Sequence, residues 1–425
     1  MLFDHAIPTV HWLKILNRLV AGSLTILLSS CANLKAPETL FITLQVDQRE
    51  FDTERKRVRA ILDKYTEAFQ RSNPKTRIVY ITYTSREFFQ QIERDSSLDL
   101  GPDLVITNQY LAPELLKRGL TTTPSNQQYF DSIYSERIQS IAKANNKYSY
   151  VPWLAETQIA CFNNTKIETS PSTISELEEL SASGKKIGLA SNPYELIWTA
   201  GTQGAISEIS SLGTQKSRNP SYPSIQEWLR WLRKAALYQN IYFLADYKEL
   251  DKKLKNNELD WVTCWSSQLD DLKKEMGSSL STAALPNGST SKAFPTYIVH
   301  GFALGKNSSP NQRKIALKFI KTNVNTIAQR KSQLNDGGFI AVNQNVSIPP
   351  ESSKNLSAIN TSFNQQSSHY LSEWHSVIRW LLHEEKNSEN TMKRYVELDR
   401  TLTELTDGYL TIDEALKTIT TTPTN

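Results

Sequence analysis

The stretch whose reading decides the fold runs from Tyr148 to Asn164, YSYVPWLAETQIACFNN. Val151, Trp153, Leu154, Ile159, Cys161 and Phe162 make it apolar, and Glu156 is its single charged residue. A continuous apolar run of this kind, rich in β-formers, reads as a strand covered on both faces. A carboxylate inside it must find water or a partner, because an unpaired buried charge is expensive. The expectation is a strand that leaves one domain, carries a polar contact residue at the crossing point and enters a second domain. The residues before it would build one wall of a cleft, and most of those after it the other.

Working outward, 425 residues are too many for one compact core, so two domains are expected. A hydrophobic content of 39% and a charged content of 22% describe a soluble globular chain. The net charge of +4 is spread thinly, with no basic run longer than Arg55-Lys56-Arg57, which gives no footprint for nucleic acid. The histidines are scattered and no Cys/His spacing suits zinc, so neither metal nor cofactor is expected. No Ser-His-Asp order, P-loop or paired-carboxylate signature marks an enzyme.

Toward the N-terminus, Lys14 and Arg18 precede an uncharged run, Leu19 to Leu28, too short to span a bilayer and of the length of a signal-peptide core. It ends in Leu28-Ser29-Ser30-Cys31. This resembles the bacterial lipobox, which implies a lipoprotein signal peptide over residues 1–30, lipidation of Cys31, and a polar tether over 31–39. Acyl chains then hold a soluble domain on a membrane without a spanning helix. The alternative is an ordinary secretory signal with a cysteine lying beyond it.

Past the tether, Leu40 to Val46 reads as a strand, Val58 to Phe69 as an amphipathic helix stopped by Ser72-Asn73-Pro74, and Thr76 to Tyr83 as the next strand. Gly101-Pro102-Asp103 introduces a short buried strand at Leu104-Val105-Ile106, followed by a helix from Leu111 to Leu120. Ile174 to Leu180 is helical, Ile187 to Ala190 and Trp261 to Trp265 are strands, and Tyr297 to Leu304 returns as a strand. Trp228 and Trp231 share a helical stripe with Leu229 and Leu232 and are assigned to packing. The Ser- and Asn-rich segment Ser347 to Ser368 reads as a linker or loop, with helices again at Tyr370 to His383, Thr391 to Leu405 and after Asp407-Gly408. Alternating strands and helices give an α/β class with a largely parallel sheet.

The order of GPDLVITNQYLAPELLKRGLTTTP, YSYVPWLAETQIACFNNTKI, the Ser170-Pro171-Ser172-Thr173 helix start, Asn192-Pro193-Tyr194, Leu285-Pro286-Asn287-Gly288, YIVHGFAL and the final helix from Asp407 resembles family-1 extracellular solute-binding proteins of the maltose-binding type. The resemblance covers most of the mature chain through loose motifs in the right order. It departs at Asn256-Asn257-Glu258, where the family has a Gly, and after Gly337-Gly338, where it has a Pro. It implies a periplasmic-binding-protein-like fold of type II: two α/β lobes with a hinge and a cleft between them. The lobes would be residues 40–153 plus 300–346, and 154–299, with 347–425 as C-terminal helices packing mainly on the second lobe. The hinge would fall near Ala155 to Thr157 and Val299 to Gly301. The implied role is capture of a sugar or polyol for an ABC importer, with its membrane permease subunits as partners, in a monomer held at the periplasmic or cell-surface face.

A sugar offers apolar C–H faces and a rim of hydroxyls, so its site needs aromatic platforms and hydrogen-bonding side chains. The candidate platforms are Trp153, Tyr194, Trp198 and Trp265, in loops or at strand ends, with Tyr297 at the start of the returning strand. Glu156 is the sharpest polar candidate, against the alternative of a salt bridge across the hinge. By resemblance, Asp47, Gln48 and Arg49 after the first strand, and Asn108, Gln109 and Tyr110 after the GPD strand, would touch ligand hydroxyls. Competing readings are a polyamine ligand, which needs clustered carboxylates, a ferric ion, which needs clustered tyrosines, and a glycan-acting enzyme, which needs a second carboxylate facing Glu156. A receptor-docking sensor is a further one. Cys161 and Cys264 both lie in expected strands of an exported chain; they could pair if those strands are neighbours, but free buried thiols are the expectation.

Overall fold

The strand read from Tyr148 to Asn164 is present as β4, Val151–Asn163, and every one of its residues is buried. It lies in a computed structural model that describes residues 38–46, 51–213, 221–335, 338–347, 354–367, 371–382 and 388–421. The expected signal peptide, Cys31, Asp47, Gln48 and Arg49 lie outside the described residues.

The strands before it are β1 (Glu38–Val46), β2 (Thr76–Thr84) and β3 (Leu104–Asn108), separated by helices α1 (Phe51–Ser72) and α2 (Phe88–Ser97). α3 (Leu111–Lys117) follows β3, and beyond β4 come α4 (Ile174–Ala182), β5 (Ile187–Ala190), α5 (Pro193–Leu196), α6 (Trp198–Thr202), α7 (Ile206–Gly213), α8 (Pro223–Ala235) and β6 (Ile241–Leu244). The remaining elements used below are α9 (Tyr247–Lys255), β7 (Trp261–Trp265), β8 (Leu280–Ala283), β9 (Tyr297–Gly305), α10 (Pro310–Val324), α11 (Thr326–Asn335) and β10 (Ile340–Ala341). Four helices close the chain: α12 (Lys354–Ser367), α13 (Leu371–Leu382), α14 (Ser388–Asp407) and α15 (Ile412–Thr420).

The sheet order is β2-β1-β3-β9-β4-β7-β5-β6. β4 changes partners along its length. Val151 to Thr157 pair antiparallel with β9, and Gln158 to Phe162 pair antiparallel with β7. β1 is parallel to β2 and β3, and β5 is parallel to β6 and β7. A single buried strand therefore belongs to one parallel layer by its first half and to another by its second, as its uninterrupted apolar pattern requires. β9 shifts register between His300 and Gly301, where a side chain in place of the Gly301 hydrogen would meet the Val151 carbonyl at 2.2 Å.

Local signals agree with the elements. Ser309 caps α10 in a capping box with Gln312 and Pro310 in the first turn, and Thr411 and Glu414 form a second box on α15. Trp228 and Trp231 are buried on α8, their indole N–H groups donating to Thr199 Oγ1 and Glu178 Oε1 at 2.8 and 3.0 Å. Both are packing residues, as their helical stripe indicates.

Two readings are corrected. The segment from Ser347 to Ser368 contains helix α12 rather than only a loop. Its inner face holds Ala358, Ile359, Ser362 and Gln365, and the polar pair reaches backbone: Ser362 Oγ donates to the Gln158 carbonyl, and Gln365 Nε2 donates to the Leu285 carbonyl at 2.8 Å and to Asn287 Oδ1 at 3.1 Å. A helix that buries Ser and Gln in this way has a weak apolar stripe, which is why composition reads as loop. Second, Cys161 and Cys264 form a disulfide. The β4–β7 register sets Cys161 opposite Val262 and Cys264 opposite Ile159, so the two cysteines are diagonal neighbours with Cα atoms 5.9 Å apart.

Candidate functional site at the β4 crossing

The crossing is built by two loops, one after β3 and one after β5, that meet over the first residue of β9. Asn108 ends β3, and its Oδ1 accepts the backbone N–H groups of Tyr110 and Leu111 at 2.9 and 3.1 Å, starting α3. Gln109 is buried; its amide nitrogen donates to the Tyr297 carbonyl at 2.9 Å and its amide oxygen accepts from Val299 N–H at 2.6 Å. These bonds stitch the loop to β9 and leave Tyr110 projecting across the junction.

From the other side, Asn192 caps α5 by accepting the Glu195 N–H at 3.0 Å, with Pro193 in the first turn. The turn sends Tyr194 toward Tyr110 and Glu195 inward. The two tyrosine hydroxyls lie 2.8 Å apart, and each reaches the Tyr297 carbonyl, at 3.3 Å from Tyr110 and 3.0 Å from Tyr194. Their rings meet edge to face with centroids 6.0 Å apart. On its far side Tyr194 stacks parallel on Trp265, again at 6.0 Å.

Behind this aromatic wall, Glu195 Oε1 accepts the Trp265 indole N–H at 3.2 Å. Burial pushes the Glu195 carboxyl up to about 7, with Asp246 adding to the rise and the bond from Trp265 opposing it. Burial also raises the Tyr110 and Tyr194 hydroxyls well above their ordinary range. Gln158 completes the crossing: its amide donates to the Glu195 carbonyl at 2.8 Å and its Oε1 accepts Thr296 N–H at 3.0 Å.

Of the residues singled out in sequence, Gln109, Tyr110, Tyr194, Trp265 and Tyr297 come together here, with Asn108 supporting them. Tyr297 contributes its carbonyl, while its ring is fully buried and stacks on Trp374 at 4.5 Å. Glu156 Oε1 lies 2.7 Å from His300 Nε2 on the neighbouring strand, the pairing across the crossing that competes with a ligand role. Trp153 packs in the core between Tyr65 and Phe302, at 4.5 and 5.0 Å. Trp198 is fully buried, and its own carbonyl accepts the Phe294 N–H at 3.2 Å. Sequence reasoning did not single out Glu195, Gln158 or His300. The signal for Glu195 was available: it is a lone carboxylate followed by Leu196-Ile197-Trp198, the same anomaly that drew attention to Glu156. A separate cavity of about 290 Å³ opens between α1, α10 and α11, lined by Lys64, Arg71 and Lys331 among others and by none of the crossing residues.

Two α/β layers sharing β4, with polar and aromatic side chains converging from both at the crossing, define a type II periplasmic-binding-protein fold. The chain belongs to the bacterial extracellular solute-binding protein family, whose sequence model matches residues 64–359. That family is one of binding proteins and places the molecule in the periplasm or at the cell surface. Among the described residues no helix is long and apolar enough to cross a membrane. No curated protein matches the chain by sequence. Among solved structures it is similar to the GacH receptor of Streptomyces glaucescens, studied with acarbose, at 12% identity and a TM-score of 0.69 over 90% of this chain and 97% of that one. It is also similar to maltose-bound MalE3 of T. maritima, at 14% identity and 0.66 over 90% and 98%. A third is the maltose/maltodextrin-binding domain MalE of Bdellovibrio bacteriovorus bound to maltotriose, at 14% and 0.64 over 90% and 97%.

Proposed function

We propose that the protein captures a sugar or related polyol at the β4 crossing and delivers it to the membrane subunits of an ABC importer, without chemical turnover. The observation that carries this reading is the meeting of Tyr110, Tyr194 and Trp265 from opposite sides of the crossing. Aromatic faces and phenolic hydroxyls are what a carbohydrate needs, each aromatic contact contributing about 1 kcal/mol. The sugar-bound state of several structures of the same fold supports it. In this reading the lobes are residues 40–153 plus 300–346, and 154–299. The packing of α13 on α7 and of α15 on α8 supports assigning 347–425 mainly to the second. The hinge falls at Ala155–Thr157 and Val299–Gly301, where β4 changes partners and β9 shifts register. A diacylglyceryl group on Cys31 anchors the monomer, and the disulfide between Cys161 and Cys264 suits an exported chain.

The tyrosine pair is also where a ferric site would begin. Among the described residues the hydroxyls of Tyr110 and Tyr194 bond to each other and to the Tyr297 carbonyl, and burial opposes the phenolate form that iron requires. A polyamine would need free carboxylates, and Glu156 is paired with His300 while Glu195 lies behind Trp265. The deciding experiment is a thermal-shift screen of the purified chain against sugars, polyols, amino acids, polyamines and ferric citrate. A rise with a carbohydrate is expected; a rise with polyamine or iron and none with any carbohydrate overturns the reading.

A further inference from the structure

Glu195 is a carboxyl built into the back of the aromatic wall. It sits in the turn that aims Tyr194, and it accepts the indole N–H of Trp265, the ring on which Tyr194 stacks. Tyr194 in turn holds the hydroxyl of Tyr110 on the opposite side. A change at the Glu195 carboxyl is therefore one hydrogen bond from the orientation of Trp265, and through it one ring contact from Tyr194.

The surroundings of this carboxyl are unusually dry and weighted toward acid. From the N-terminus of α9 come Asp246, which adds repulsion, and Tyr247, whose backbone N–H donates to the carboxylate; Lys248 follows on the same helix. From α14 come Tyr395, whose hydroxyl donates to Asn192 Oδ1 at 3.2 Å, and Asp399, which faces Tyr395. Tyr194, which feels Tyr297 and Glu156, lies on the carboxyl's own turn. Its ionised form is held by the Trp265 indole, the Asn192 side chain and the Tyr247 backbone N–H, all working against burial.

We propose that Glu195 is a positioning residue whose protonation state sets how firmly the Trp265–Tyr194 platform is held, so that ligand retention at the crossing depends on pH. As a carboxylate it accepts a charge-assisted bond from the indole and fixes the ring. When it takes up a proton the acceptor becomes neutral, the bond weakens and the ring gains freedom to tilt away from Tyr194. Burial places this change within reach of ordinary external pH, at about 7. The ligand part of this inference rests on the sugar reading above, while the platform part stands without it.

The test uses the full mature chain labelled with 5-fluorotryptophan, with the Trp265 resonance assigned by its loss in Trp265→Phe. Without ligand, the Trp265 resonance is expected to move between pH 6 and pH 8 with a midpoint near the Glu195 value of about 7, and to be flat over that range in Glu195→Gln. In Asp246→Asn, which keeps the helix cap, the movement persists with its midpoint displaced downward. A resonance that is flat in the wild type, or that moves equally in Glu195→Gln, overturns the proposal; should Glu195→Gln fail to fold, the Asp246→Asn displacement decides in its place. With the best carbohydrate from the screen, affinity is expected to be about five-fold weaker at pH 6 than at pH 8, and pH-independent in Glu195→Gln. A titrating Trp265 with no carbohydrate bound at either pH defeats the sugar reading and leaves the platform switch standing. A sugar bound equally at both pH values with a flat resonance does the reverse.

Discussion

Tyr110 and Tyr194, 84 residues apart in sequence, touch through their hydroxyls at 2.8 Å above the Tyr297 carbonyl that both of them reach. They come from the loops after β3 and β5, so the contact ties the two layers that share β4. Each hydroxyl leaves the other a poorer set of partners when removed. Tyr110→Phe and Tyr194→Phe are each expected to cost about 1 kcal/mol of stability, and the double mutant clearly less than the sum, with a coupling of about 1 kcal/mol. Chemical denaturation of the four proteins measures this. Additive losses would show that the hydroxyls act separately on Tyr297 and do not hold each other.

Glu156 and His300 form the second tie, at 2.7 Å between neighbouring strands, with Glu156 only 9% exposed. Removing the carboxylate charge leaves His300 with a weaker acceptor. Glu156→Gln is expected to destabilise the protein by about 1 to 3 kcal/mol, and His300→Gln to remove most of that difference. The same loss in a His300→Gln background would mean that Glu156 is stabilised by other contacts and the pair is incidental.

What the sequence shows and what it hides follow from the same physics. β4 was legible because a strand covered on both faces must be apolar throughout, and the α/β class followed from the alternation around it. The family resemblance placed Tyr110 and Tyr194 on facing loops. It could not separate Trp265 from Trp153 and Trp198, because the first two sit near strand ends and the third at the start of a short helix, and only tertiary packing decides whether such a ring meets core or junction. α12 was hidden because its inner face is built partly of Ser362 and Gln365, which are soluble-looking residues until their partners are seen. The disulfide was hidden because it depends on which strand lies beside β4, a fact with no local signature.

The bond between Cys161 and Cys264 closes a loop of 103 residues that includes β5, β6 and the helices around them. In the chain-entropy account a loop of this length restricts the unfolded state by about 4 to 5 kcal/mol, an upper figure for most proteins. Reduction, or the Cys161→Ser/Cys264→Ser double variant, is expected to lower the unfolding midpoint substantially while the oxidised protein shows no reaction of these two thiols with a thiol reagent in denaturant. An unchanged midpoint on reduction would show that β4 and β7 are held by their hydrogen bonds and packing alone.

Glu195 makes the remaining prediction, in which the sign matters. Its carboxyl is raised from 4.5 to about 7 in the folded protein, chiefly by burial, so the folded state holds the proton more tightly than the unfolded chain. Its contribution is therefore fully present below the unfolded value and is lost as pH rises through the folded one, at most about 3 to 4 kcal/mol at about 1.4 kcal/mol per pKa unit. Glu195→Gln keeps the size and an acceptor for Trp265 but removes the titration. Stability measured by urea at pH 5 and pH 8 is expected to fall between the two for the wild type more steeply than for Glu195→Gln, with the variant the relatively more stable at pH 8. A steeper fall in the variant would mean that the carboxylate, rather than the neutral acid, is the form the fold prefers, and that the donors from Trp265 and α9 outweigh its burial.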